Sequence, residues 1–294
     1  CDIINNMGSV VKKVIIPVAG YGTRFLPATK AQPKEMLPVV DKPVLQYIVE
    51  SAVASGIEDI IMVTNFNKRA VEDHFDRLPE LESWLQKQGK TEALEQIKKI
   101  AELANFIYIR QKGPYGNGTP ILNAKHLIND EPFAVLFGDD LVISDIPHPK
   151  QLIDTYAKFG DPVMGASLVD DAGTKSYGIL ETEKVEEKIF KVKGILEKPG
   201  PAVTTSRLAA TCGYILTPDI FTELENTPIG QGGELWLVDA IEKLRQKRTV
   251  YARQIDGQYY DMGSKLRWLE ANVVFGLAHP KLGADFRRFI KTIT

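Results

Sequence analysis

Residues 12–38 read KKVIIPVAGYGTRFLPATKAQPKEMLP. The run KKVIIPVAG is rich in β-branched residues and ends in glycine, which predicts a buried strand that leaves its sheet through a tight turn. Gly20 and Gly22 let the backbone bring N–H groups close to a phosphate, because no side chain intervenes. The stretch therefore predicts a phosphate-binding loop at the end of a strand.

This loop matches neither of the two common phosphate-binding patterns. A dinucleotide fingerprint needs a third glycine where Phe25 stands, and a P-loop needs Gly-Lys-Ser/Thr, which is absent. Pro27 and Pro33 prevent a long helix, so no helix dipole is available to hold an anion. We expect Arg24 and Lys34 to supply the positive charge instead. The alternative is an ordinary strand-to-turn connection with solvated basic residues.

Strands and helices alternate through the first half of the chain. The predicted elements, in chain order, are a helix over 41–56, a strand over 58–66, a helix over 67–78, a charged and exposed helical excursion over 79–104, a strand over 105–111, a helix over 121–129 and an apolar strand over 131–142 that ends in carboxylates. This order predicts an α/β fold in three layers, with a mixed, mostly parallel central sheet between two helical layers. Ligands of such sheets bind beyond the carboxyl ends of the strands.

The second half of the chain predicts mixed α/β structure. Its strand-like segments cover 162–169, 177–181, 190–198 and 208–216. We expect a hairpin or strand pair over 249–263, around Asp256 and Gly257, and a terminal helix over 264–278. No linker interrupts residues 10–294, which therefore read as a single domain. Residues 1–9 match nothing in the pattern and read as a ragged terminus or a cloning remnant.

Composition excludes several classes of protein. Of 294 residues, 36 are Lys or Arg and 38 are Asp or Glu, so no general positive field exists to hold a nucleic acid. Two cysteines far apart favour a reducing cytoplasm and give neither a disulfide framework nor a zinc cluster, so a bound metal would use oxygen ligands. No apolar run reaches the length of a membrane span, and we expect no membrane association.

The motifs of the chain resemble those of one family. Residues 19–43, AGYGTRFLPATKAQPKEMLPVVDKP, closely resemble the signature of bacterial UTP–glucose-1-phosphate uridylyltransferases, and the later motifs RQK, DEPFAVLFGDD, YGI, EKP, GGEL and YDMGSKL continue the resemblance over residues 12–285. It implies a Rossmann-like nucleotide-diphospho-sugar transferase fold. It also implies the reaction of UTP with glucose 1-phosphate to give UDP-glucose and pyrophosphate, a Mg²⁺ cofactor, and a homo-oligomer, either dimer or tetramer.

The resemblance places the nucleotide in the first half of the chain. It implies that Arg24 and Lys34 stabilise the triphosphate and the departing pyrophosphate. The residues that it implies line the nucleotide are Ala19, Gly20, Glu35, Gln111 and Gly116. The amide of Gln111 can donate to and accept from a uracil edge, and Gly116 allows a base or ribose to approach closely.

Two carboxylates predict the metal site. Asp139 follows an apolar strand in FGDD, and Asp261 lies in YYDMG. Two carboxylate oxygens together with substrate phosphates suit Mg²⁺, although each aspartate alone could equally cap a loop. The resemblance implies that these two positions hold the magnesium. Asp140 should point away from Asp139 and support it or cap a turn.

The sugar phosphate is matched to two further motifs. YGI gives Gly178, and EKP gives Glu197 and Lys198. A carboxylate can bind two adjacent sugar hydroxyls, and a lysine beside it can hold the sugar phosphate as a point charge. Taken alone, EKP would be a solvated turn, and the resemblance implies the binding role.

Three segments depart from the family pattern. Thr119-Pro120 replaces a His-Ala pair and reads as the N-cap and first residue of a helix; the other departures are Arg207–Gly213 and Trp236–Val238. Because these changes alter size and hydrogen bonding near the expected sugar pocket, alternatives stay open beside glucose 1-phosphate. They are another sugar 1-phosphate, dTTP as the nucleotide, and a non-catalytic paralogue that binds a sugar nucleotide.

Overall fold

The structure is a computed structural model that describes residues 10–293. Residues 1–9, read above as a ragged terminus or cloning remnant, lie outside the described residues, as does Thr294. Within the described residues the strands are β1 (Lys13–Pro17), β2 (Pro38–Val39), β3 (Lys42–Pro43), β4 (Asp59–Thr64), β5 (Asn105–Arg110), β6 (Phe133–Val135), β7 (Asp140–Ile143), β8 (Val163–Leu168), β9 (Gly178–Glu186), β10 (Ile189–Glu197), β11 (Leu208–Leu216), β12 (Tyr251–Gln254) and β13 (Gln258–Asp261).

One sheet has nine strands, in the order β5-β4-β1-β6-β11-β8-β12-β10-β9. Two further sheets have two strands each, β7 with β13 and β2 with β3. In the larger sheet β10 and β11 run against the other strands, which confirms the mixed, mostly parallel arrangement. Strand β1 lies inside it, with Val14 level with Ile60 of β4 and with Ala134 of β6. Both faces of β1 are buried, which explains its unbroken apolar sequence.

Helices cover both faces of the sheet. They are α1 (Val44–Ala54), α2 (Arg69–Phe75), α3 (Pro79–Lys87), α4 (Thr91–Ala101), α5 (Gly118–Asn123), α6 (His148–Phe159), α7 (Asp219–Glu225), α8 (Leu237–Arg245), α9 (Lys265–Ala278) and α10 (Gly283–Ile293). One apolar core lies under α1, α2, α6 and α9, and a second lies under α5, α7 and α8. The three-layer α/β fold is thereby confirmed. No helix within residues 10–293 has the length and hydropathy needed to cross a membrane.

Three local predictions need correction. The segment 249–263 is not a hairpin, because β12 joins the main sheet between β8 and β10 whereas β13 pairs with β7. The strand predicted over 131–142 is two strands, since the backbone turns between β6 and β7 and leaves Asp139 in the turn. Helix α9 is not terminal, because α10 follows it. A one-dimensional pattern shows where a strand lies but not which strand it pairs with.

Candidate active site

The glycine loop leaves β1 at the edge where the parallel strands end. Gly22 has a φ of +65°, and a Cβ there would lie 2.9 Å from Lys34 Cβ, so glycine is needed for the loop to pack against the lysine-bearing turn. The Thr29 hydroxyl donates to Gly22 O at 2.7 Å and closes the loop. As the prolines predict, the chain then makes only short 3-10 turns, at Thr23–Phe25, Ala28–Lys30 and Lys34–Met36.

Two cations and two acids from distant parts of the chain meet beside this loop, and we call Arg24, Lys34, Asp139 and Asp261 the acid centre. Lys34 Nζ donates to Asp139 Oδ2. The Arg24 guanidinium lies 3.9 Å from Asp139 Oδ2 and 3.5 Å from Asp261 Oδ2. Backbone hydrogen bonds hold the two acids, from Met262 N to Asp139 O (2.9 Å) and from Gly263 N to Asp261 Oδ1 (2.8 Å). The structure therefore brings together all four residues that the sequence analysis selected for phosphate and metal.

The charges of the acid centre set its protonation. Burial raises the pKa of Asp139, but the neighbouring charges of Lys34 and Arg24 outweigh it and hold that pKa below its usual value. Burial likewise lowers the pKa of Lys34, and the charges of Asp139 and Glu35 more than reverse this, so the lysine stays charged. For Asp140, burial and the charge of Asp139 raise the pKa to about 7. The Tyr259 hydroxyl donates to Asp140 Oδ1 at 2.8 Å, which places this acid in a supporting position.

The residues expected to line the nucleotide divide into two groups. Ala19 and Gly20 lie in the glycine loop, and Gln111 follows β5 with its N–H bonded to Thr64 O (2.9 Å), so these three share the edge where the parallel strands end. Glu35, in contrast, is only 1 % exposed and pairs through Oε2 with Lys68 Nζ at 2.8 Å. Its carboxylate does not reach the surface of the cleft.

Gly116 belongs to a contact between two loops, residues 115–118 and 234–237, which we call the loop junction. Leu235 N donates to Tyr115 O (2.7 Å), and Gly118 N donates to Leu235 O (2.9 Å). Gly116 has a φ of +111°, and a Cβ there would lie 2.2 Å from Leu235 O, so only glycine fits. Gly116 therefore has a packing role whether or not a nucleotide touches it.

The prediction for Thr119 is wrong. Helix α5 begins at Gly118, its cap position is Asn117, and no side chain caps it. The Asn117 side chain instead accepts from Leu237 N at 2.9 Å, across the loop junction. The Thr119 hydroxyl is buried, with no hydrogen-bond partner among residues 10–293. A tertiary contact displaced the local cap that the sequence favoured.

The three residues matched to the sugar phosphate are neighbours across two strands. Gly178 of β9 lies opposite Glu197 of β10, and a Cβ on Gly178 would lie 3.4 Å from a Glu197 carboxylate oxygen. Lys198 Nζ lies 3.3 Å from Glu197 Oε1, with both side chains about half exposed. Lys198 also has a φ of +46°, a conformation that is strained for a residue other than glycine. The geometry leaves a carboxylate and a lysine open to a ligand.

Comparison with known proteins fits this arrangement. The model of one protein family, described as nucleotidyl transferase, matches residues 13–275. The chain belongs to the nucleotidyl transferase family. The UTP–glucose-1-phosphate uridylyltransferase YngB of Bacillus subtilis is 46% identical over 287 residues, which cover 98% of this chain and 97% of that protein. A UTP–glucose-1-phosphate uridylyltransferase of Staphylococcus epidermidis is 47% identical over 283 residues, covering 96% of this chain and 98% of the relative.

Solved structures place this nucleotidyl transferase in the same group. A UDP-glucose pyrophosphorylase of Acinetobacter baumannii superposes with a TM-score of 0.91 at 39% identity, over 97% of this chain and 100% of that one. A UTP-bound structure from the same organism gives a TM-score of 0.90 at 39% identity, with the same coverage. The chain is thus a member of the uridylyltransferase group within the nucleotidyl transferases, as its motifs indicate. Nucleotidyl transferases generally use a divalent metal ion.

Sequence reasoning missed two tyrosines at the site of this nucleotidyl transferase. The Tyr177 hydroxyl donates to Asp261 Oδ2 at 3.3 Å, while its carbonyl accepts from Lys198 N at 3.2 Å. Tyr259 supports Asp140, as described above. A signal was present for each, because Tyr177 directly precedes Gly178 and because Tyr259 and Asp261 share one face of β13 by the two-residue period of a strand.

A polar cavity of about 820 Å³ opens beside the acid centre. Its lining includes Arg24, Tyr177, Asp261, Gln254 and Arg267. Tyr177 directly precedes Gly178, so the cavity of this nucleotidyl transferase reaches the residue next to one of those matched to the sugar phosphate. Substrate phosphates bound in this cavity would meet the guanidinium groups of Arg24 and Arg267.

Proposed function

We propose that this protein transfers a uridylyl group from UTP to glucose 1-phosphate, forming UDP-glucose and pyrophosphate. The observation that carries the proposal is the acid centre, in which Arg24 and Lys34, near the start of the chain, contact acids more than a hundred residues away. Arg24 lies beside both Asp139 and Asp261, and Lys34 pairs with Asp139. The names of the relatives that match this chain over nearly its whole length support the choice of UTP and glucose.

The proposed step is a displacement at phosphorus. A phosphate oxygen of glucose 1-phosphate attacks the α-phosphorus of UTP, and the bond from that phosphorus to the oxygen that bridges it to the β-phosphorus breaks. Pyrophosphate leaves with the electron pair of that bond. Such a step needs positioning and charge neutralisation rather than a covalent nucleophile. Gly20 and Gly22 allow backbone N–H groups to approach the phosphates, and Arg24 and Lys34 offset the charge that develops on the leaving group.

For the remaining contacts we keep the roles that the sequence implies. Ala19, Gln111 and Gly116 border the nucleotide, and their placement at the strand ends supports that role for the first two. Glu197 takes sugar hydroxyls and Lys198 takes the sugar phosphate, because both side chains are open to solvent beside Gly178. The buried carboxylate of Glu35 is better explained by another role, argued in the next subsection.

Asp139 and Asp261 are the residues that would hold Mg²⁺. Both carboxylates lie within 4 Å of the same guanidinium group, so a single cation can be shared between them. Within the described residues no cluster of three or more His, Cys, Asp or Glu side chains could enclose a metal, which fits an ion that takes few protein ligands and completes its shell with phosphate and water oxygens. Bound there, the ion would neutralise phosphate charge.

A panel of substrates tests the proposed activity. Purified protein with Mg²⁺ should release pyrophosphate from UTP and glucose 1-phosphate, and UDP-glucose should appear in equal amount. dTTP and other sugar 1-phosphates serve as competitors. A higher kcat/KM with any of them would replace the assigned substrate. Saturable UTP binding without pyrophosphate release from any pair would instead identify a non-catalytic paralogue.

We further propose that the protein works in the cytoplasm as a homo-oligomer. The cysteine usage supports a reducing compartment, with Cys212 a buried free thiol. The expectation of a dimer or tetramer rests on the family resemblance. Size-exclusion chromatography with light scattering gives the mass of the particle in solution, and a monomer at micromolar concentration would contradict that expectation.

A further inference from the structure

The buried ion pair between Glu35 and Lys68 has no place in the chemistry described above. Their side chains are 1 % and 2 % exposed, and Lys68 Nζ lies 2.8 Å from Glu35 Oε2. The other carboxylate oxygen, Oε1, has no hydrogen-bond partner among residues 10–293. Both side chains lie beneath the surface of the cleft, which fits a role that acts through other residues rather than through contact with the substrates.

A buried pair of this kind is a poor source of stability. The free-energy cost of removing two charges from water can exceed their mutual attraction, above all where further hydrogen bonds do not satisfy the remaining polar atoms. Replacement of such a pair by apolar residues of similar volume is often neutral or stabilising. The unpartnered Oε1 means that these further hydrogen bonds are incomplete here. A function other than stabilisation would account for the pair.

The position of the pair suggests that function. Glu35 lies in the 3-10 turn Lys34–Met36, and Lys68 lies directly before α2. Pro33 precedes the turn, and Pro38, the first residue of β2, follows it after Leu37, so no helix continues from the turn on either side. The Glu35–Lys68 contact is the ionic link between the turn and α2.

The turn carries the catalytic lysine. Lys34 reaches Asp139, while its neighbour Glu35 reaches Lys68. The stem of Glu35 also packs on Gly138, where an added Cβ would lie 2.9 Å from Glu35 Cγ. Two adjacent side chains of one short turn therefore contact two adjacent residues, 138 and 139. A shift of the turn would move Lys34 relative to Asp139.

We propose that Glu35 and Lys68 are positioning residues, whose buried ion pair fixes the 3-10 turn so that Lys34 points at the phosphates and at Asp139. The pair acts through Lys34 and does not contact the substrates. This inference rests on the proposed function, because it assigns the role of the pair in uridylyl transfer.

The first test removes the pair while keeping its volume. In Glu35→Met with Lys68→Met, we expect the midpoint of urea unfolding to stay the same or rise, while kcat/KM for UTP falls at least about 10-fold because the lysine is no longer held in place. The matched control is Lys13→Met with Glu131→Met, an ion pair at the opposite end of β1, which should leave kcat/KM within about 2-fold of wild type. A double variant that folds and keeps wild-type kcat/KM would overturn the proposal.

The second test asks whether the effect passes through Lys34. In a Lys34→Gln background, removing the pair should lower the affinity for UTP, measured by equilibrium binding, by less than about 2-fold, because the lysine that the pair positions is already gone. An equal loss with and without Lys34 would mean that the pair supports the fold in general, and would overturn the proposal.

A conservative variant covers the case in which the methionine pair does not fold. Glu35→Gln with Lys68→Gln keeps a hydrogen-bonded link of similar size and should retain more activity than either single variant, Lys68→Gln or Glu35→Gln. Equal loss in all three would contradict the positioning role. Failure of the proposed function is separate, since it would appear as wild-type protein that forms no UDP-glucose.

Discussion

The acid centre and the loop junction both contain residues that the sequence analysis assigns to the nucleotide, and they are held in different ways. In the acid centre, charged side chains make the contacts, from Lys34 to Asp139 and from Arg24 to both acids. In the loop junction, most contacts join backbone groups, with Leu235 both donating to Tyr115 and accepting from Gly118, and the Asn117 side chain adds one more by accepting from Leu237 N. The acid centre keeps the family motif, whereas the loop junction adjoins Thr119 and overlaps Trp236–Val238, where the sequence departs from it.

This difference shows which residues can vary. A contact between charged side chains depends on residue type at both positions, so its sequence is recognisable. A contact between backbone groups tolerates most side chains, provided that glycine stands where the chains approach closely. Gly116 is such a position, and so is Gly213 in the departing segment 207–213, where a Cβ would lie 2.5 Å from Val135 O. Four predictions follow from this comparison.

The largest effect, a loss of kcat, is expected in the acid centre. Asp139→Ala or Asp261→Ala should lower kcat by about 1,000-fold, because each removes a carboxylate that would hold the metal and leaves Arg24 misplaced. UTP affinity should fall less, since the glycine loop remains. Asp154→Ala, in an exposed ion pair of α6, is the control and should keep wild-type rates. Wild-type rates for both acid-centre variants would remove the metal assignment.

The second-largest effect, a loss of stability, is expected in the loop junction. Gly116→Ala should destabilise the protein by about 3 kcal/mol, because the new methyl group would overlap the carbonyl of Leu235 and the φ is unfavourable for alanine. Gly160→Ala is matched in conformation, with a φ of +72° and no atom within 4 Å of the added Cβ. Urea unfolding should give a loss of only about 1 kcal/mol for this control. Equal losses would mean that backbone conformation, not close approach, explains Gly116.

A pH-dependent change in the free energy of unfolding is expected at His148, beside Asp140. His148 is buried, lines a cavity of about 210 Å³ together with Asp140, and has no partner for Nδ1 among the described residues. Burial lowers the pKa of His148 from 6.5 to about 3. The unfolded chain therefore takes up a proton as the pH falls below 6.5 while the folded chain does not, so acid favours unfolding.

Relative to His148→Leu, the wild-type protein should lose about 2 kcal/mol of stability between pH 7 and pH 5. Urea unfolding of both proteins at each pH gives this difference, and other titrating groups cancel because they are common to both. Parallel pH profiles would show that this histidine does not resist protonation in the folded state.

The smallest effect is expected where side chains are most exposed. Lys198→Ala should raise the KM for glucose 1-phosphate by about 10-fold and the KM for UTP less, since a half-exposed lysine gives a modest charge-assisted contact. Lys193→Ala, on the strand that ends directly before Lys198 and paired with Glu183 at the surface, is the matched control and should change neither constant. A larger change in the KM for UTP would move Lys198 to the nucleotide.

Much of the acid centre could be predicted from the sequence. Arg24 and Lys34 stand near two glycines within one short stretch, and FGDD and YYDMG place carboxylates after strand-like runs. The sequence could not predict that Asp261 lies on a strand pairing with β7, because pairing between segments far apart leaves no local pattern. The same limitation produced the wrong hairpin at 249–263.

Glu35 and Thr119 show a second limitation. Both are polar residues in or beside the family motifs. The sequence analysis expects Glu35 to line the nucleotide and Thr119 to cap a helix. Whether a polar group faces water or the interior depends on what packs over it, and here Lys68 covers Glu35 while the loop junction takes over the cap position of α5. Burial is a property of the packed molecule.

By itself, the sequence determined the alternation of strands and helices, the glycine loop and the types of charged residue that a triphosphate requires, because these follow from local periodicity and side-chain chemistry. The tertiary structure alone decided which strands pair, which charges meet and which polar groups are buried. The physical reason is distance along the chain, since contacts between residues hundreds of positions apart depend on how the layers pack together.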